Sequence, residues 1–172
     1  MKKNGITFFL LAIIVLSIVI VACRTGKTET EYLRIHVRAN SSLQQDQDVK
    51  YIIKDDLVSY LTPFIAEVKS KSEAISLLNS KTTQMEAICN NRLKSRGLTY
   101  SASVSIVEEY FPTRVYDDVT LEAGYYDAII VSLGEAKGDN WWCVVYPPLC
   151  FVKNAPVKYK SKLLEIIKKF NV

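Results

Sequence analysis

The chain has 172 residues and a formal net charge of +4, of which Lys2 and Lys3 supply two, so the remainder carries only +2. So weak an excess argues against nucleic acid as a partner. A single histidine, His36, and the lack of any Cys/His cluster with zinc-finger spacing leave most metal-centre and acid–base schemes short of parts.

Lys2 and Lys3 precede an apolar run from Ile6 to Ala22 that only Thr7 and Ser17 interrupt. Lysines stay inside while such a run enters the bilayer, so this start predicts export. A spanning helix needs about 17–25 residues and a cleaved signal core about 7–15, so the run lies between the two. Ile20-Val21-Ala22-Cys23 resembles a bacterial lipobox, in which Cys23 would be lipidated and become the first mature residue. The other reading is a free cysteine at the end of an uncleaved anchor. Residues 1–23 are therefore assigned as a membrane-targeting helix, 24–31 as a polar tether and 32–172 as one exported domain. About 150 residues are enough for a hydrophobic core without disulfide staples.

Leu33-Arg34-Ile35-His36-Val37-Arg38 alternates strictly and predicts a strand. Leu33, Ile35 and Val37 face the core, with Arg34, His36 and Arg38 on the opposite face. Asn40-Ser41-Ser42 is a turn that offers helix caps. From about Leu43, Val49, Ile52, Ile53, Leu57, Tyr60 and Leu61 recur at helical spacing, with Lys50, Lys54 and Asp55 on the other side. Pro63 predicts a break or kink at Thr62. Ser72 is the expected cap of a second helix carrying Ala74, Ile75, Leu77 and Leu78. A third helix starts near Thr83, buries Met85, Ile88, Cys89 and Leu93, and stops at Gly97.

The period then changes from helical to alternating. Strands are expected over 102–107, 113–121, 126–131 and 141–146, with Pro147-Pro148 ending the last. An amphipathic helix over 157–170 follows, with Leu163, Ile166, Ile167 and Phe170 on one face and lysines on the rest. The order predicts an α+β domain, with helices packed on one mostly antiparallel sheet.

Three stretches stand out: Leu33 to Asn40, Tyr110-Phe111-Pro112-Thr113, and the block from Gly134 to Phe151 that holds Trp141-Trp142-Cys143 and Pro147-Pro148-Leu149-Cys150. Together they resemble the stage II sporulation protein R family, over Leu33 to about Val152. The resemblance implies a signalling role, not an enzyme. Such a protein is made in the forespore and exported into the space between forespore and mother-cell membranes, anchored or released. There it activates a membrane-embedded aspartic protease of the mother cell, which cleaves the precursor of the early mother-cell sigma factor.

The residues admit other readings. Cys143 and Cys150 form either a disulfide, which an exported location permits, or two buried thiols. His36 with Cys143 has the residue types of a cysteine hydrolase, with Asn40 or Asn140 to orient the ring. Exposed aromatics also suit a cell-wall-binding module. The partner-contact residues expected here are Arg34, His36, Arg38 and whichever of Trp141 and Trp142 is exposed, because strand neighbours point to opposite faces. No catalytic residue, cofactor or metal ligand is assigned.

Overall fold

A computed structural model of the chain describes residues 30–116, 119–153 and 155–170. The targeting segment with Cys23, and the tether up to residue 29, lie outside the described residues. In chain order the elements are β1 (Leu33–Arg38), α1 (Gln44–Ile65), α2 (Lys71–Asn79), α3 (Thr82–Ser95), β2 (Ala102–Phe111), β3 (Arg114–Tyr116), β4 (Val119–Leu121), β5 (Gly124–Leu133), β6 (Asn140–Tyr146) and α4 (Val157–Lys168). The expected α+β class holds for this domain. Among the described residues no helix is long and apolar enough to cross a membrane.

The main sheet runs β2-β5-β1-β6, and β3 and β4 form a separate two-stranded ladder. β1 is parallel to β5 and antiparallel to β6, while β2 is antiparallel to β5. Parallel neighbours cannot be joined by a tight turn, and three helices and three strands intervene between β1 and β5. The alternation of β1 works as expected on one side. Leu33, Ile35 and Val37 are at most 1% exposed, packed with Ile129, Val131 and Val145 beneath Ile53, Leu57, Leu78, Met85 and Leu163 of the helices.

Four local expectations are corrected. The single strand expected over 113–121 is two short ones, β3 and β4, paired antiparallel with each other. α1 does not break at Thr62 but runs through Pro63 to Ile65. Pro63 lies in the last turn, where its missing N–H removes a single helical bond, and the Thr62 hydroxyl donates to the Val58 carbonyl at 2.7 Å. The cap of α2 is Ser70 rather than Ser72: Ser70 Oγ accepts from Glu73 N, and Glu73 reaches back to accept from Lys69 N. Lys50, placed on the solvent side, is 1% exposed and donates to the Asp139 carbonyl at 2.9 Å.

The turn from β1 into α1 is tied to the β5–β6 loop. Asn40 donates to Asp46 at 2.8 Å and accepts from Glu135 N at 2.9 Å. Asp46 also accepts from Ser41 Oγ at 2.6 Å and Tyr100 OH at 2.5 Å. Burial pushes the Asp46 carboxyl up, but the Ser41, Tyr100 and Asn40 donors outweigh it and hold its pKa below the ordinary value. Asp46→Ala should therefore cost about 2–3 kcal/mol in urea unfolding, since it orphans three donors. A depressed carboxyl contributes stability above its unfolded pKa of about 4, and loses it as pH falls through the lower folded value. The acid limb below pH ~4 should accordingly flatten in Asp46→Ala.

Candidate functional site

Arg34, His36 and Arg38 do point away from the helices, yet the expectation of an open polar stripe is overturned. Arg34 is 0% exposed and His36 2%, and only Arg38 reaches solvent. The reason is a second apolar cluster on this face, built from Phe111, Tyr126, Ala128 and Ile130 with Tyr32 and Trp142 against it. The Arg34 guanidinium lies 4.2 Å from the Phe111 ring centroid, 4.7 Å from Tyr126 and 5.7 Å from Tyr116 of β3. Its Nη2 donates to Tyr116 OH at 2.7 Å, whereas Nε and Nη1 have no hydrogen-bond partner among the described residues. The cation is held by ring faces in place of a carboxylate.

His36 sits one step along the same face. Its ring stacks on Trp142 at 3.6 Å between centroids and 19° between planes. His36 Nδ1 is 3.1 Å from Glu109 Oε2, and Arg38 Nη2 bonds the other Glu109 oxygen. A carboxylate only accepts, so Nδ1 carries the hydrogen of this bond. Burial strips the imidazolium of water; the Asn140 side chain opposes this, and the charges of Arg38 and Arg34 reinforce it. The pKa falls from 6.5 to about 4, so the ring is neutral near pH 7.

The two tryptophans of β6 part as alternation requires. Trp141 packs on the helix-side core, and Lys54 Nζ lies 5.7 Å from its ring. Trp142 packs on the other face, edge-on to Phe111 at 4.8 Å, with the Arg114 guanidinium 5.6 Å from its centroid. Each is half-buried. Cys143 turns to the helix side and is joined to Cys150 in a disulfide with Cα atoms 6.3 Å apart. In register, Trp142 lies opposite His36 and Cys143 opposite Ile35. The histidine and the cysteine thus occupy opposite sheet faces, and the cysteine-hydrolase reading loses its dyad. The free Cys89 is buried in the core, where burial chiefly and the Asp56 charge push its thiol up to about 12. Among the described residues no group of three or more His, Cys, Asp or Glu side chains is placed to hold a metal ion.

Sequence reasoning missed Glu109, Arg114 and Tyr116. The signal for Glu109 was present: it shares a face of β2 with Val107 and Phe111, and a strand face with basic side chains at 34, 36 and 38 needs an acid nearby. Nothing in the pattern pointed to Arg114 or Tyr116, which reach the site through the β3–β4 hairpin.

The family model for stage II sporulation protein R matches residues 29–156. The stage II sporulation protein R of Bacillus subtilis (strain 168) is 37% identical over 146 residues, covering 77% of this chain and 65% of that protein. The chain therefore spans slightly less than two thirds of that relative's length. No solved structure matches.

Two outcomes test the geometry. His36 resists protonation when folded, so the unfolded chain binds the extra proton between pH 6.5 and about 4. Stability should fall by up to ~3 kcal/mol as pH drops across that window and level off below it. His36→Gln should remove the slope in urea midpoints. Arg34→Met keeps the packing and removes two orphaned donors, so it should stay within about 1 kcal/mol of the parent. Arg34→Ala opens a cavity among rings and should cost about 2–4 kcal/mol.

Proposed function

This chain belongs to the stage II sporulation protein R family, and on that premise we propose that it is an exported sporulation signal that works by contact. In this reading residues 1–23 carry the domain across the forespore membrane. They then anchor it, are replaced by a lipid on Cys23, or are removed. The domain meets a membrane-embedded aspartic protease of the mother cell and favours its active state. The protease then processes the early mother-cell sigma factor precursor. A binder shifts such an equilibrium only through higher affinity for one state, so the chain needs a contact surface and no catalytic group.

The observation that carries this reading is the setting of Trp142. A half-buried tryptophan is fixed by the His36 stack, bordered by Arg114, and adjoins a disulfide-bonded residue. Rigid aromatic anchors flanked by arginine are the usual composition of an interface hot spot. His36 supports the anchor from beneath, Arg34 is buried against Phe111 and Tyr126, and in this reading neither touches the partner; Trp141 faces the other way. Arg114 of β3 is exposed beside Trp142.

The test is reconstitution of the full chain with the protease and its precursor substrate in vesicles. Trp142→Ala should reduce precursor processing by roughly 30-fold or more, in line with a hot-spot loss of 2 kcal/mol or more. Arg114→Ala, at an exposed position, should weaken processing about 5-fold while leaving the thermal midpoint within a few degrees. Normal processing by a folded Trp142→Ala protein would remove this surface from consideration. In sporulating cells, deleting residues 2–22 should leave the product cytoplasmic and the precursor uncut; activity from a demonstrably cytoplasmic product would sink the export reading.

A further inference from the structure

Helix α4 begins where the family match ends: the match stops at residue 156 and the helix runs Val157–Lys168. Its inner side is ordinary. Leu163 and Ile166 are buried, and Tyr159 and Phe170 pack against the main core. Its outer side is not. Positions 157, 160, 164 and 168 recur at helical spacing along one edge. Val157 is 90% exposed and Leu164 40%, and the lysines between and beyond them, Lys160 and Lys168, are exposed as well. Lys158 and Lys169 flank this edge, and Glu165 is the single acid of the helix. Lys162 is turned aside into an ion pair with Glu67. Apolar side chains alternating with long lysines suit a boundary between a greasy phase and anionic headgroups, where the lysine stems lie down and the ammonium groups reach phosphate.

The place of the helix in the fold points the same way. The Tyr32 ring meets Phe170 just past the end of α4 at 5.9 Å, and Phe170 meets Tyr146 at 5.5 Å. The first described residues are also held there, because Lys71 Nζ donates to the Thr30 carbonyl at 2.7 Å. The apolar run ends at Ala22, and the stretch between it and Tyr32 can span no more than about 36 Å. A helix of 12 residues is about 18 Å long, so all of α4 falls within that tether's reach of whatever surface holds the run.

We propose that α4 lies along the surface of an anionic phospholipid bilayer, with Val157 and Leu164 entering the headgroup boundary and Lys158, Lys160, Lys168 and Lys169 meeting lipid phosphates. The proposal rests on the reading that residues 1–23 attach to a membrane. Its consequence is orientation: a tether fixes distance alone, whereas a second contact made by α4 fixes which side of the domain faces outward. Each lysine near an anionic surface contributes about fivefold in partitioning, an effect that salt screens.

The test uses the full chain with Cys23→Ser and Leu164→Cys, nitroxide-labelled at position 164. Cys89 is buried and Cys143 is bonded to Cys150, so position 164 is the reactive thiol. The protein is reconstituted in vesicles of phosphatidylcholine alone, or with roughly 30% phosphatidylglycerol. Accessibility of the label to oxygen and to a water-soluble nickel complex is then measured. The expected result is loss of nickel accessibility in the anionic vesicles alone. It should be restored by roughly 0.5 M salt and by Lys160→Gln with Lys168→Gln. A label equally accessible to nickel in both compositions overturns the proposal. So does immersion that ignores lipid charge, or the same protection from soluble polyphosphate without vesicles. Flotation on neutral vesicles reports the N-terminal attachment separately. A chain that floats with position 164 in water refutes the proposal and leaves the anchor standing; a chain that fails to float on neutral vesicles but buries position 164 in anionic ones does the reverse.

Discussion

Asn40 uses both ends of its amide to hold together distant parts of the chain, binding Asp46 at the start of α1 and the Glu135 amide in the β5–β6 loop. The loop is pressed so close that a side chain has no room. A Cβ on Gly138 would lie 2.1 Å from the Ser41 carbonyl oxygen, and Gly134 combines a φ of +56° with a Cβ position 2.2 Å from Asn40 Oδ1. The Lys137 and Gly138 amides donate to the Asn40 and Ala39 carbonyls, and Lys50 closes the far side through the Asp139 carbonyl. With the loop fixed against the end of β1, β6 must run back along β1 in one register, and that register sets Trp142 opposite His36. A one-residue slip would send both tryptophans to the wrong faces. The stack at the candidate site is thus a downstream result of a polar knot a few residues beyond it at the same end of β1.

The same sheet solves an unusual problem on its second face. A domain of this size often leaves one side of an antiparallel sheet to water. Here that side carries a buried guanidinium, and removing a cation from water without an anion is costly. The rings of Phe111, Tyr126 and Tyr116 return part of that cost through their negative faces. The single Tyr116 hydroxyl links the arginine to the β3–β4 ladder, which shares no strand pairing with the main sheet. Glu109 cannot serve Arg34, because it is already engaged with His36 and Arg38. One acid therefore stands among three basic side chains, which also explains why His36 loses its proton readily.

Periodicity made the secondary structure legible, because burial on the helix side imposes it directly. Leu33, Ile35 and Val37 at every second position, and Ile53, Leu57 and Leu61 at every fourth, could not satisfy another arrangement. What periodicity cannot report is whether the opposite face is covered. Arg34 and His36 read as solvent-facing because polar residues on an alternating strand usually are. Their cover comes from β2, β5 and a short hairpin far along the chain, and no local pattern announces it. Lys50 misled for the same reason, since its partner is a backbone carbonyl some ninety residues away. Pro63 misled differently: it removes one helical bond, but Leu61, Thr62 and Ile65 are buried around it and hold the helix through that position.

The block around β6 shows how one strand can serve stability and contact together. Cys143 faces the core and closes a short covalent loop with Cys150, seven positions on, a constraint on the unfolded chain of about 2 kcal/mol. Trp142, its immediate neighbour, must face the other way, so whatever stiffens the inward residue also stiffens the outward one. His36 below and Phe111 beside the indole fix its ring plane. A contact residue held this firmly loses little entropy when a partner arrives. In the proposed function the exported domain is then the rigid member of the pair. The change of state that activation requires falls on the partner, whose two conformations must differ in how well they receive a surface that does not adapt to either.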